Sequence, residues 1–183
     1  MPFYRFACAE ALLGPEMRST GEVMGVAQDF PAAFAKAQAA AGTQLPKGGT
    51  VFLTVTDSDK AAAMGIAAQL HDLGFRIVAT RGTASAIKRM GIPVETINKG
   101  QDGSPHVRDW IDQGDVDLVI NTPTGTAARS DGYEIRRAAV ARGVPCITTI
   151  AGGMAAARAI AAARFGEPPV ISLQELHRNG VHA

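Results

Sequence analysis

The sequence contains few cysteines, few aromatic residues and almost no net charge. Its two cysteines, Cys8 and Cys146, lie far apart, so they form neither a metal-binding nor a CxxC redox spacing and favour a reducing, cytoplasmic environment. A formal net charge of +1 does not supply the basic face that nucleic acid requires. No apolar run approaches the roughly 18 residues of a membrane-spanning helix. We therefore expect neither nucleic acid nor a membrane as a partner.

From residue 50 onward, short buried-strand patterns alternate with helical patterns. The strand patterns cover 50–55, 76–80, 93–98, 117–122 and 145–150. The helical patterns cover 60–74, 83–91, 104–114, 133–143 and 153–166, and several of them end at a glycine. This alternation predicts an α/β fold, a doubly wound three-layer sandwich with a five-stranded, mainly parallel sheet between two layers of helices.

The first part of the chain does not follow this alternation. Residues 29–42 have the pattern of one amphipathic helix, and residues 43–49 have the proline and glycine content of a linker. The sequence therefore predicts two units, one over residues 1–45 and one over residues 46–183.

Polar residues follow the first four strand patterns, where the carboxyl ends of parallel strands would meet and where doubly wound sheets bind ligands. The candidate binding residues are Thr54, Lys60, Thr80, Gly82, Thr83, Lys99, Asn121, Thr122 and Thr124. Taken singly, Thr83 could be a helix cap and Lys60 a solvated lysine. Taken together, hydroxyls, an amide, lysines and helix N-termini favour a pocket for a phosphate monoester. No loop matches GxxxxGK[ST], so a triphosphate held with magnesium is not favoured, and no metal site is expected.

The same loops resemble the methylglyoxal synthase-like domain. The resemblance rests on DSDK (57–60), ATRGT (79–83), NK (98–99) and INTPTG (120–125). This family includes a free-standing synthase that acts on dihydroxyacetone phosphate and the regulatory domain of carbamoyl phosphate synthetase large subunits. The flanking stretches LLGPEMRSTGEVMG (12–25) and VISLQELH (170–177) resemble the large subunits. They imply that residues 1–45 are the end of an ATP-grasp unit plus a linker helix, which precede the regulatory domain.

The resemblance implies a binding site without catalysis. In the regulatory domains, contacts to a nucleotide phosphate fall on Thr54, Lys60, Thr80, Thr83, Lys99 and Asn121 of this sequence. A further family threonine is replaced by Pro123. The catalytic Asp of the free-standing synthase aligns with Ala127, and the stretch before the last helix contains no His, so no catalytic residue is expected. The implied effector is uridine monophosphate, with inosine monophosphate as the alternative. Of a second effector site, for ornithine, only Thr148 remains.

The resemblance also implies what the whole enzyme does. It would be a glutamine-dependent ligase that makes carbamoyl phosphate for arginine and pyrimidine synthesis, using ATP with Mg²⁺ or Mn²⁺ and K⁺, while this part needs no cofactor. The expected partners are the nucleotide monophosphate effector, the rest of the large subunit and the glutaminase small subunit, with self-association left open. Two alternatives remain: a methylglyoxal synthase-type lyase and a stand-alone nucleotide-binding module.

Overall fold

The described strands form one parallel sheet. The computed structural model describes residues 23–98, 106–123, 125–166 and 170–178. Its strands are β1 (Thr50–Val55), β2 (Arg76–Thr80), β3 (Glu95–Ile97), β4 (Leu118–Thr122) and β5 (Cys146–Ile147). Their order is β3-β2-β1-β4-β5, and every neighbouring pair runs parallel. The predicted fold class is confirmed, and within the described residues the sheet is wholly parallel.

Helices cover both faces of this sheet. Within the described residues they are α1 (Phe30–Ala40), α2 (Lys60–Asp72), α3 (Arg81–Arg89), α4 (Val107–Gln113), α5 (Gly125–Arg142), α6 (Ile150–Ala163) and α7 (Leu173–Arg178). A short 3₁₀ turn, Asp57–Asp59, joins β1 to α2. None of the helices in the described residues is long and apolar enough to cross a membrane.

The central strand β1 is buried on both faces because successive side chains point in opposite directions. Val51 and Leu53 pack into a core with residues of α2, α3 and α6. Phe52 packs into a second core with residues of α4 and α5. A continuous apolar strand between two helical layers is therefore the physical reason for the three-layer architecture.

The boundaries of β1 and β2 agree with the prediction, whereas β5 and α5 differ from it. Strand β5 ends early because the Thr149 side chain accepts a hydrogen bond from the Gly152 N–H at 3.1 Å and starts α6 at Ile150. Helix α5 begins at Gly125 instead of residue 133. Gly132, which looks like a helix breaker in the sequence, is buried inside α5.

Two glycines end helices as predicted. Gly74 follows α2 with φ of 81°, and Gly91 follows α3 with φ of 75°, a region that residues with a Cβ rarely adopt. Helix α1, which precedes the predicted boundary near residue 45, packs on α6 of the sheet domain. The division into residues 1–45 and 46–183 stays a prediction.

Candidate functional site

The candidate site lies where the connections of two neighbouring strands diverge. Strand β1 is hydrogen-bonded to β2 on one side and to β4 on the other. After β1 the chain enters α2 on one face of the sheet, and after β4 it enters α5 on the opposite face. Such a divergence leaves a crevice beyond the carboxyl ends of the two strands, which is where doubly wound folds bind ligands.

Three polar side chains form a row along this edge. Thr54 of β1 is in register with Asn121 of β4. The hydroxyl of Thr80, the last residue of β2, donates to Thr54 Oγ1 at 3.2 Å. All three point to the sheet face that α4 and α5 cover, because they lie two residues beyond core positions on that face. The structure thus brings together three of the predicted residues, one from each of three adjacent strands.

Thr83 extends this row from α3. It is 2% exposed, and its Oγ1 accepts a hydrogen bond from the Val55 N–H at 3.2 Å. Helix α3 begins at Arg81 with Thr80 as its N-cap, so Thr83 is not the cap that its sequence context suggests. With the Thr83 oxygen occupied as an acceptor, its O–H proton is available to a ligand oxygen.

Lys60 brings a positive charge to the same edge. Its Nζ lies 3.5 Å from the position that a Cβ on Gly82 would take, over the first turn of α3. A helix N-terminus favours an anion, so this is an unfavourable place for an ammonium group alone. Asp57 balances it, with Oδ1 2.6 Å from Lys60 Nζ, and the hydrogen bond from Lys60 keeps the pKa of Asp57 below its usual range. Asp57 therefore offsets part of the positive charge of Lys60 beside the N-terminus of α3.

Asn121 and Arg136 meet on the other side of the row. Asn121 is 2% exposed, and within the described residues its Nδ2 has no hydrogen-bond partner. A Cβ added to Gly132 would lie 2.7 Å from that Nδ2 and 2.4 Å from Nη1 of Arg136. The absence of a side chain at Gly132 therefore leaves room for the amide and the guanidinium group.

Thr122 has a supporting position. It is 5% exposed, and its Oγ1 accepts from the Thr56 N–H at 3.4 Å. This bond ties the end of β4 to the loop after β1 and, as for Thr83, leaves the O–H proton of Thr122 available to a ligand oxygen.

Comparison with known proteins identifies the domain that carries this site. Residues 62–148 match the family model described as MGS-like domain. The chain contains an MGS-like domain. The matched region includes Thr80, Gly82, Thr83, Asn121 and Thr122, while Thr54 and Lys60 lie just before it.

Relatives extend the similarity beyond this domain. The chain is 50% identical over 176 residues to the carbamoyl phosphate synthase large chain of Gemmatimonas aurantiaca, which covers 96% of this chain and 16% of that one. It is 50% identical over 190 residues to the large chain of Mycobacterium tuberculosis, and the match covers 97% of this chain and 17% of that one. The large chain of Rhodopirellula baltica is 47% identical over 181 residues, with 99% and 17% covered. The chain thus spans only 16–17% of the length of these relatives.

Three further residues of the MGS-like domain are predicted to bind an effector. Lys99 and Thr124 lie outside the described residues. Thr148, predicted for a second effector site, follows β5, and β4 separates that strand from β1. Whether Thr148 takes part in a second site stays a prediction.

The described part of the MGS-like domain offers no obvious metal site or activated nucleophile. Within it, no group of three His, Cys, Asp or Glu side chains lies close enough to hold a metal ion. Cys146 packs against the core beneath α5, and burial raises the pKa of its thiol to about 12 although Arg136 partly opposes the shift. The thiol is therefore protonated at neutral pH, which makes it a poor nucleophile.

Sequence reasoning missed Arg136, which is 1% exposed. The signal was present in the helical spacing: Gly132, Ile135, Arg136 and Ala139 occupy one face of α5, and all of them are buried. An arginine within such a stripe must lie under the helix.

Proposed function

We propose that this MGS-like domain binds the phosphate group of a nucleotide monophosphate, and that binding regulates a carbamoyl phosphate synthase of which this chain is the C-terminal part of the large chain. The similarity to large chains over nearly the whole sequence supports the second half of this proposal. Uridine monophosphate is the proposed effector, with inosine monophosphate as the alternative.

The row of buried polar groups at the carboxyl edge of the sheet, which includes the Asn121 amide, is the observation that carries the proposal. A buried donor without a partner is costly, and Asn121 Nδ2 is such a donor among the described residues. It stands beside Thr54, whose hydroxyl belongs to the same row. A phosphate oxygen placed here would accept from the amide and from the hydroxyls, and Lys60 together with the N-terminus of α3 would balance its charge.

Regulation requires that the effector distinguish two states of the enzyme. A ligand shifts a conformational equilibrium only by its difference in affinity for the two states. We place the ligase chemistry, with ATP, Mg²⁺ or Mn²⁺ and K⁺, and the glutaminase partner outside these residues, in a cytoplasmic enzyme that supplies arginine and pyrimidine synthesis. The domain itself is proposed to be non-catalytic.

The proposal is tested by calorimetric titration of the chain with uridine monophosphate, inosine monophosphate and uridine. We expect a nucleotide to bind and uridine to bind much more weakly. Charge-assisted hydrogen bonds contribute about 1.5–3 kcal/mol each, so Lys60→Met should weaken nucleotide binding by about ten- to a hundredfold. Lys88→Met is the matched control, because Lys88 lies in the last turn of α3, away from the pocket.

Equal affinity for uridine and its monophosphate would refute a phosphate pocket. Equal effects of Lys60→Met and Lys88→Met would refute the assigned position. The lyase alternative is tested separately by incubation with dihydroxyacetone phosphate, and we expect no release of inorganic phosphate. Release that is lost in Thr83→Ala would favour the lyase.

A further inference from the structure

Arg136 is the only charged side chain among the buried polar residues that the structure describes. The others are neutral: Thr50, Thr54, Thr83, Asn121 and Thr122. All of these except Thr50 belong to the carboxyl edge of the sheet. A guanidinium group remains charged even where burial lowers its pKa. A full positive charge is therefore fixed beneath the helix that borders the pocket.

The guanidinium group faces the same point as the pocket amide. Arg136 follows Gly132 by one helical turn, so both residues lie on one face of α5. Arg136 Nη1 and Asn121 Nδ2 both lie within 3 Å of the position of a Cβ on Gly132, at 2.4 and 2.7 Å. The charge is thus adjacent to the donor that the proposed phosphate would contact.

A charge in this position acts differently from that of the partly exposed Lys60. Lys60 approaches the opposite side of the row and has a side chain that is 28% exposed. Water and salt screen such a group, whereas a buried cation acts through a medium of low effective dielectric constant. A buried cation therefore stabilises a doubly charged ligand considerably more than a singly charged one.

We propose that Arg136 is a specificity residue of the anion site, whose buried charge makes the pocket select a phosphate dianion over a monoanion. This inference rests on the proposed function. It assigns the site a second, fixed positive charge opposite Lys60, on the side of the row that faces α5.

The test compares two ligands that differ in one charge. At pH 8, uridine monophosphate is a dianion, and its phosphate methyl ester is a monoanion. For the unmodified chain we expect the dianion to bind at least tenfold more tightly. In Arg136→Gln this ratio should fall to about threefold or less, whereas Arg136→Lys, which keeps the charge, should retain most of it. Arg137→Gln is the matched control, because Arg137 is the exposed neighbour on the same helix.

The ratio separates a role in charge selection from a role in folding. A residue that only ties α5 to the sheet would weaken both ligands equally and leave the ratio unchanged, and an unchanged ratio in folded Arg136→Gln would overturn the inference. If Arg136→Gln does not fold, ¹⁵N-arginine labelling of the unmodified chain provides the second measurement. A buried guanidinium signal must then shift more with the dianion than with the methyl ester, and equal shifts overturn the inference.

If the unmodified chain binds neither ligand, the proposed function fails and the inference fails with it. If the unmodified chain binds both ligands and Arg137→Gln leaves the affinity ratio unchanged, the proposed function stands. The ratio in Arg136→Gln then tests the inference alone.

Discussion

Replacing Thr83 by valine removes one hydroxyl group from the candidate site and keeps the shape of the side chain. Thr83 is 2% exposed, and its oxygen accepts the hydrogen bond of the Val55 N–H at 3.2 Å. In Thr83→Val this amide loses that acceptor in a region that water scarcely reaches. A buried donor left unsatisfied costs about 1–3 kcal/mol, so we expect the free energy of unfolding to fall by about that amount. For a chain of this size, the melting temperature should fall by roughly 2–4 °C for each kcal/mol.

The assay is urea unfolding followed by circular dichroism, together with titration of uridine monophosphate. Thr83→Ser is the matched control, because it keeps the hydroxyl and loses one methyl group, at a cost of about 0.8 kcal/mol. We expect an unchanged slope with urea in both variants. Nucleotide affinity should drop about tenfold or more in Thr83→Val, where a donor to a charged phosphate is lost, and much less in Thr83→Ser.

Two results would refute this reasoning. If Thr83→Val is as stable as the unmodified chain, the hydroxyl does not satisfy the Val55 amide. If Thr83→Val and Thr83→Ser bind the nucleotide equally well, the hydroxyl does not contact the phosphate. The first result concerns the fold and the second the site, so they can be separated.

Two further predictions concern the start of β1 and the counter-ion of Lys60. Gly49 has φ of 109° and no room for a Cβ, which would lie 1.9 Å from Asp117 Oδ2, whereas Gly91 has φ of 75° and open space around it. Gly91→Ala should cost about 1–2 kcal/mol of unfolding free energy through backbone strain alone, and Gly49→Ala clearly more; equal losses by urea unfolding would contradict the steric part of the explanation. Asp57→Asn should raise nucleotide affinity by roughly twofold, because the Lys60 ammonium is then no longer shared with an exposed carboxylate; weaker binding in calorimetry would show that Asp57 helps the site instead of competing with the ligand.

The elements predicted best from the sequence are those whose patterns are local and strong. Strands β1 and β2 have the predicted bounds because each is a short run of apolar or β-branched residues between turn signals. The start of α5 was predicted too late because glycine inside a helix is ordinarily destabilising. Helix α5 contains glycine at position 132 despite this cost, because neighbouring side chains occupy the space that a Cβ would need.

The candidate site shows the same difference between what could and what could not be predicted from local sequence patterns. The residue types after β1, β2 and β4 could be found from the sequence, since the carboxyl ends of parallel strands share one edge. Their individual roles could not. Thr83 looks like a helix cap until α3 is seen to begin at Arg81, and only the structure shows that Thr122 accepts a hydrogen bond from the Thr56 amide.

The sequence by itself determined the alternation of strands and helices, the glycine-ended helices and the supply of hydroxyl, amide and lysine groups at one edge of a parallel sheet. Periodicity and turn chemistry are local properties, so they can be read along the chain. Only the tertiary structure decided that β1 lies between β2 and β4, that Lys60 reaches over α3, and that Arg136 is buried beside Asn121. Strand order and the burial of a charge depend on contacts between residues far apart in sequence, because only the packed layers determine which groups become neighbours and which lose contact with water.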